Sequence, residues 1–245
     1  MLLIQYSQVL TVGLVWTLLL GLVVSLLATV VATVFTFVIS RKSVIASTMA
    51  FALVEVLRDI PLIVTVLFTY FVLPILGLSL SPFWSTAISL SLWGGANGAN
   101  IIRAGLTSVG KDQREAAASL GLRSWKAMVL VILPQAMRVI LPPYVGLVTS
   151  LVQATSLGAV VGMQELLRAG QILIEQTTIS QGGSPAFLVY SAILVVFFII
   201  CWGISMGGMF LERFFNRAYE TPRGGATAAS RSAEAATLTM PEIRA

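Results

Sequence analysis

The sequence predicts an all-α polytopic membrane protein with about five transmembrane helices. Three observations lead there. Of 245 residues, 57% are hydrophobic and only 10% are charged, whereas a fold that meets water on all sides carries about 25% charged residues. The apolar residues fall into runs near the roughly 20 that a helix needs to cross a bilayer core. Lys and Arg concentrate in alternate gaps between those runs, the pattern produced when basic loops stay on the cytoplasmic side.

The first run, Thr11 to Ile39, has no charge and is stopped by Arg41 and Lys42. It is longer than a signal core and reads as a retained span. The second apolar region, Val44 to Leu80, is interrupted by Glu55, Arg58, Asp59 and Pro61. Val44 to Leu57 reads as a helix at the interface or on the protein interior. Pro61, suited to a first helical position, then starts the true span, which ends near Pro74 and Gly77. The third run, Pro82 to Ile102, holds Gly94, Gly95, Asn97, Gly98 and Asn100. Small residues there allow close helix packing, and the amides need partners away from lipid. The fourth, Ala127 to Leu151, carries Pro134, Arg138, Pro142 and Pro143 and reads as a broken helix facing protein or a cavity. The fifth runs from Ala186 to Phe210.

Arg41 and Lys42 follow span one. Lys111, Arg114, Arg123 and Lys126 follow span three, and Arg213, Arg217 and Arg223 follow span five. Five spans with the N-terminus outside place all of these inside the cell. Residues 1–220 form the transmembrane domain. Thr221 to Ala245, rich in Ala, Thr, Ser and Gly, reads as a disordered cytoplasmic tail. The net charge of +5 is explained by this topology and not by nucleic acid. The absence of His removes His-based acid–base chemistry and the common zinc sites. The single cysteine, Cys201, excludes an internal disulfide.

The segment Gly110 to Gly121 is the most informative. Asp112 is placed to accept from the free amides of a helix start, with Glu115 three residues on as in a capping box. Gly121 supplies the left-handed residue that ends helices, and Ser124 is placed to cap a second helix. Two turns are marginal alone, so the helix must dock on something. Ala116, Ala117 and Leu120 give it a small, flat apolar face. A groove on a partner protein and an ordinary interfacial loop helix both fit that pattern.

The string Glu115-Ala116-Ala117, then Gly121, then Val131-Ile132-Leu133-Pro134 resembles the EAA loop of ABC importer permeases. A wider likeness is to the permeases for polar amino acids, and Gly13 to Val30, Val54 to Pro74, Arg103 to Leu122, Leu133 to Pro143 and Thr155 to Leu167 carry it. The resemblance implies a type I ABC importer permease fold. It implies a second permease subunit (identical or homologous), two cytoplasmic ATPases and an extracytoplasmic solute-binding protein. It implies no cofactor on this chain, with ATP and Mg on the ATPase, and so no enzyme activity of its own. The coupling helix is then 112–121, with Asp112, Glu115, Ala116, Ala117, Leu120 and Gly121 as its contact and capping residues. The family often has glutamate where this chain has Asn100 and lysine where it has Gln153. The resemblance implies a polar amino acid or a similar small zwitterion as the solute, and the two lost charges point toward a zwitterion or small polar solute other than a standard amino acid.

Ionisable residues within spans are costly and often functional. Glu55, Asn97, Asn100, Arg138, Gln153 and Thr155 are the candidates for the solute path. Each also has a structural reading, as a partner for a neighbouring charge or for the carbonyls of a broken helix. Glu165 and Arg168, three apart outside the spans, either meet the binding protein or only each other. The rival reading is a stand-alone secondary transporter or channel. Five spans without visible inverted repeats suit it poorly.

Overall fold

The computed structural model describes residues 7–41 and 43–217. The tail expected beyond Thr221 lies outside them. Among the described residues every regular element is helical.

Helix α1, Ser7–Ile39, is 33 residues long, about 50 Å at 1.5 Å per residue, and overshoots the ~30 Å hydrocarbon core. Its hydroxyls do not face lipid unsatisfied. Thr17, Ser25, Thr29 and Thr33 each donate to the carbonyl four residues back, so a polar side chain costs little in an apolar solvent.

The second region is two helices. Ser43 caps α2, Val44–Asp59, by accepting from the Ala46 amide. The helix stops at Ile60, whose ψ of 129° is the extended value forced on a residue before proline. Helix α3, Leu62–Phe71, follows with Pro61 at its cap. Its 10 residues cover about 15 Å, half the core. The span expected to begin at Pro61 therefore includes α2 as well. The two run together, antiparallel to α4, Pro82–Ser108. Arg103 lies over the Phe51 ring, Asn100 reaches Glu55, Asn97 reaches Arg58, and Ser89 bonds Thr69. That register is one crossing by a broken helix.

Helix α4 is the central strut. It packs on α1, α2, α3 and the fourth span. A methyl group at Gly95 or Gly105 would overlap Val31 or Ile140, so glycine sets the closeness of those helices. In lipid this packing, and not expulsion of water, holds helices together. Among the described residues, three helical segments are individually long and apolar enough to cross a membrane: Gln8–Ile39, Ser124–Val161 and Ala186–Asn216. With α4, diluted by Gly, Ser and Asn, and the α2–α3 pair, they make the five crossings.

After α4 comes α5, Lys111–Ser119, then α6, Ser124–Ala127. A π-helical turn, Met128–Ile132, leads into α7, Leu133–Ala154. The π-turn has a local cause. Pro134 has no N–H for the Leu130 carbonyl and its ring crowds that carbonyl, and the turn before it widens so that the Leu133 amide bonds Met128, five residues back, and not Val129. Helix α8, Leu166–Gln181, lies against the amino-terminal part of α1, with the Leu166 amide donating to Thr17. Helix α9, Ala186–Arg217, closes the bundle along α7. Two ends result. One carries Arg41, Arg103 and α5; the other carries α8.

Candidate functional site

Helix α5 is built where the sequence places it, with one shift. Gly110 is its cap and Asp112 lies in the first turn, so Asp112 and Glu115 do not form the expected capping box. The helix starts two residues earlier than a capping Asp112 requires. An acidic side chain at that position still favours the positive end of the helix dipole. Ser124 likewise begins α6 and does not cap it, Arg123 being the cap. The carboxyl end forms as expected. Gly121 has φ +71°. Its amide bonds Ala118 and the Leu122 amide bonds Ala117, at 2.9 and 3.1 Å. These are the paired bonds of a Schellman motif.

The apolar face divides. Ala117 is buried against this chain, while Ala116 and Leu120 are exposed, Leu120 to 80%. Two side chains that sequence reasoning missed fasten the helix from its other side. The Arg114 guanidinium donates to the Leu106 carbonyl near the end of α4, at 2.8 Å. The Gln135 amide donates to Gln113 at 3.2 Å, tying α5 to the start of α7. No local spacing signals either bond, because one partner in each lies in another helix. Helix α5 is thus a short, exposed bar attached to two spans at once.

A second constellation sits at the break between α2 and α3. Arg58 pairs with Glu55 at 2.9 Å and donates to Asn97 at 3.4 Å. Asn100 approaches the same Glu55 oxygen at 3.5 Å, and Asn97 donates to the Trp93 carbonyl. The side chains of Arg58 and Glu55 keep 34% and 38% of their surface exposed, so a positive and a negative group stand adjacent and reachable. Arg58 pairs with Glu55 and not with its neighbour Asp59.

The other expected path residues lie elsewhere. Arg138 is half-buried on α7. Thr155 is fully buried and donates to the Val152 carbonyl, while Gln153 is exposed and lines a cavity of about 260 Å³ with Ser156 and Tyr190. Within one chain, then, Glu55, Asn97 and Asn100 come together and Arg138, Gln153 and Thr155 do not join them.

Glu165 departs from expectation. Its side chain is fully buried and caps α8, accepting from the Leu167 and Arg168 amides at 2.8 Å each. It offers no surface to a partner. Burial pushes its carboxyl up to about 7, against the lowering pull of those two amides. Arg168 is half-exposed and turns to Gln171 and, at 3.7 Å, Glu175.

Residues 32–217 match the family described as "binding-protein-dependent transport system inner membrane component". The chain belongs to this family. As such a component it is an inner-membrane, multi-pass permease subunit, which sets aside the stand-alone transporter reading. It is 33% identical over 171 residues to a probable glutamine ABC transporter permease protein, GlnP, of Bacillus subtilis, covering 70% of this chain and 77% of that one. It is 36% identical over 171 residues to the glutamine transport system permease protein GlnP of Escherichia coli K12, covering 69% and 75%. Among solved structures, an amino acid ABC transporter crystallised with histidines superposes with a TM-score of 0.77 at 26% identity, covering 86% of this chain and 96% of that one. The MetNI methionine transporter in an inward-facing form shares the fold, with a TM-score of 0.69 at 20% identity over 85% of this chain and 97% of that one.

Proposed function

We propose that this permease carries a polar amino acid or a similar small zwitterion inward and is driven by a separate ATPase gripped at α5. The supporting observation is the construction of α5. It is rigidly capped at Gly121, exposed at Ala116 and Leu120, and fastened to α4 by Arg114 and to α7 by Gln113–Gln135. A push on such a bar moves two spans as rigid bodies. In this reading ATP and Mg reside on two partner ATPases, a second permease subunit (identical or homologous) completes the path, and an extracytoplasmic binding protein delivers solute. The N-terminus lies outside and the carboxyl end, with all basic loops, in the cytoplasm.

The polar cluster supports the solute class. The guanidinium of Arg58 and the carboxylate of Glu55 complement the carboxylate and ammonium of a zwitterion. Asn97 and Asn100 supply both donors and acceptors beside them. The relatives' stated glutamine role is consistent with such a solute. On the opposite face Arg168, and not Glu165, is the side chain available to the binding protein.

Cysteines at Ala116 and Ala118, introduced singly into the assembled transporter, test the coupling role. Cross-linking to the ATPase from the cytoplasmic side is the expected result. Labelling of these positions only from outside the cell would overturn the topology and the coupling together.

A further inference from the structure

One sizeable cavity lies away from the polar cluster. It is a groove of about 500 Å³ between α1, α4 and α7, lined by Thr29, Thr33 and Phe37 of α1, Ser40 just past its end, Leu106 of α4 and Met137 of α7, among others. Nearly all of its wall is apolar, because the hydroxyls of Thr29, Thr33 and Ser40 are turned back on their own helix carbonyls. The Tyr144 hydroxyl donates to Thr29 at 2.8 Å across the gap between α7 and α1.

Thr29 to Ser40 spans three turns along the axis of α1, about 16 Å. That is close to the hydrocarbon depth of one leaflet, about 15 Å. A transmembrane helix of a second copy would need a groove running the whole ~30 Å core. A single acyl chain needs only this half. At the end carrying α5, two guanidinium groups stand beside residues of the groove wall. Arg41 lies 4.8 Å over the Phe37 ring that lines the groove. Arg114 is held at the Leu106 carbonyl, on another lining residue. Basic groups at the mouth of an interhelical pocket recognise anionic head groups.

We propose that this groove is a binding site for an anionic phospholipid of the leaflet on the α5 side. One acyl chain fills it as far as the Tyr144–Thr29 bond, and the phosphate rests between Arg41 and Arg114. A zwitterionic lipid can fill the groove, but it gains less at the mouth.

The test uses the full-length chain with its co-purifying subunits, in nanodiscs of equimolar phosphatidylcholine and phosphatidylglycerol. Native mass spectrometry then counts the lipids retained. The expected result is a roughly 25-fold preference for phosphatidylglycerol, about fivefold for each of two basic side chains at an anionic surface. Arg41→Ala should lower that preference about fivefold, and Thr33→Phe, which fills the groove, should lower retention of both lipids. Equal retention of the two lipids by the native chain overturns the proposal, as does unchanged retention in Thr33→Phe. So does efficient disulfide formation between two copies of Thr33→Cys, which would mean that a second subunit covers the groove. Should Thr33→Phe fail to assemble, the exposed Arg41 decides alone, and an unchanged lipid preference in Arg41→Ala refutes the site.

Discussion

Replacing Gly121 isolates the rigidity of the bar from its chemistry. No atom lies within 4 Å of where a Cβ would sit, so alanine meets no clash there and the whole penalty is conformational. The residue has φ +71°, a region that costs an L-residue about 1–2 kcal/mol. The chain has two responses. It can hold the turn and accept that strain, or release it by unwinding the two bonds to Ala118 and Ala117, at about 1 kcal/mol each. Either way the capped form loses about 1–2 kcal/mol, a factor of roughly 5–30 in its population. Asparagine tolerates the left-handed region better, and a β-branched residue tolerates it least. Coupled activity should therefore fall in the order Gly, Asn, Ala, Val. The assay is solute-stimulated ATP hydrolysis and solute uptake in proteoliposomes, normalised to transporter incorporated. Full coupling in Gly121→Val would refute the reasoning, and so would equal loss in all three variants, since backbone conformation would then not be the cause.

The buried Glu165 makes a pH prediction. Its carboxyl, near 7 in the fold against 4.5 unperturbed, binds its proton more tightly when folded. The resulting stability is complete below the unfolded value and is lost as pH rises through about 7, by up to roughly 3 kcal/mol. The melting temperature should thus decline between pH 5 and 8, and Glu165→Gln should flatten that decline; a native chain that gains stability over this range contradicts the assignment. Arg58→Ala leaves Glu55 with Asn100 alone, and it should abolish uptake, while Arg58→Lys, which replaces the two guanidinium nitrogens on Asn97 and Glu55 with one ammonium, retains a small part. Full uptake by Arg58→Ala would remove the cluster from the solute path. Arg114→Ala, which uncaps the Leu106 carbonyl at a cost of about 1 kcal/mol, should uncouple solute binding from ATP hydrolysis, seen as basal hydrolysis preserved without stimulation.

The sequence made the single long helices legible because each carries its own signal. The uncharged run of α1, the glycine at 121 and the proline at 82 act on their immediate neighbours. The second crossing was harder to read. Pro61 breaks the helix locally, but whether the piece before it enters the lipid depends on α4, which supplies partners for Glu55 and Arg58 from 39 to 45 residues away. Glu165 misled for a related reason. Its spacing to Arg168 suggests a surface pair, while its burial comes from α1 folding beneath it. Asp112 and Ser124 were each displaced from the cap position by a helix that began sooner, a shift of one or two residues that cap chemistry alone does not resolve. Of α5, the capping glycine could be read directly, whereas the division of its alanine face, with Ala117 turned into this chain, could not. The ties through Gln113 and Arg114 belong to the tertiary structure.

The π-turn at Met128–Ile132 gives the connection between α5 and α7 a measure of slack. A helix carrying one surplus residue can surrender it and settle into ordinary geometry, changing its length by about 1.5 Å and its facing by about 100° per residue. Under the coupling proposed for α5, a push on the bar is taken up as a twist of the span before any part of the bundle has to come apart. Because Pro134 keeps the surplus residue in place, the twist has a preferred starting position to which the span returns.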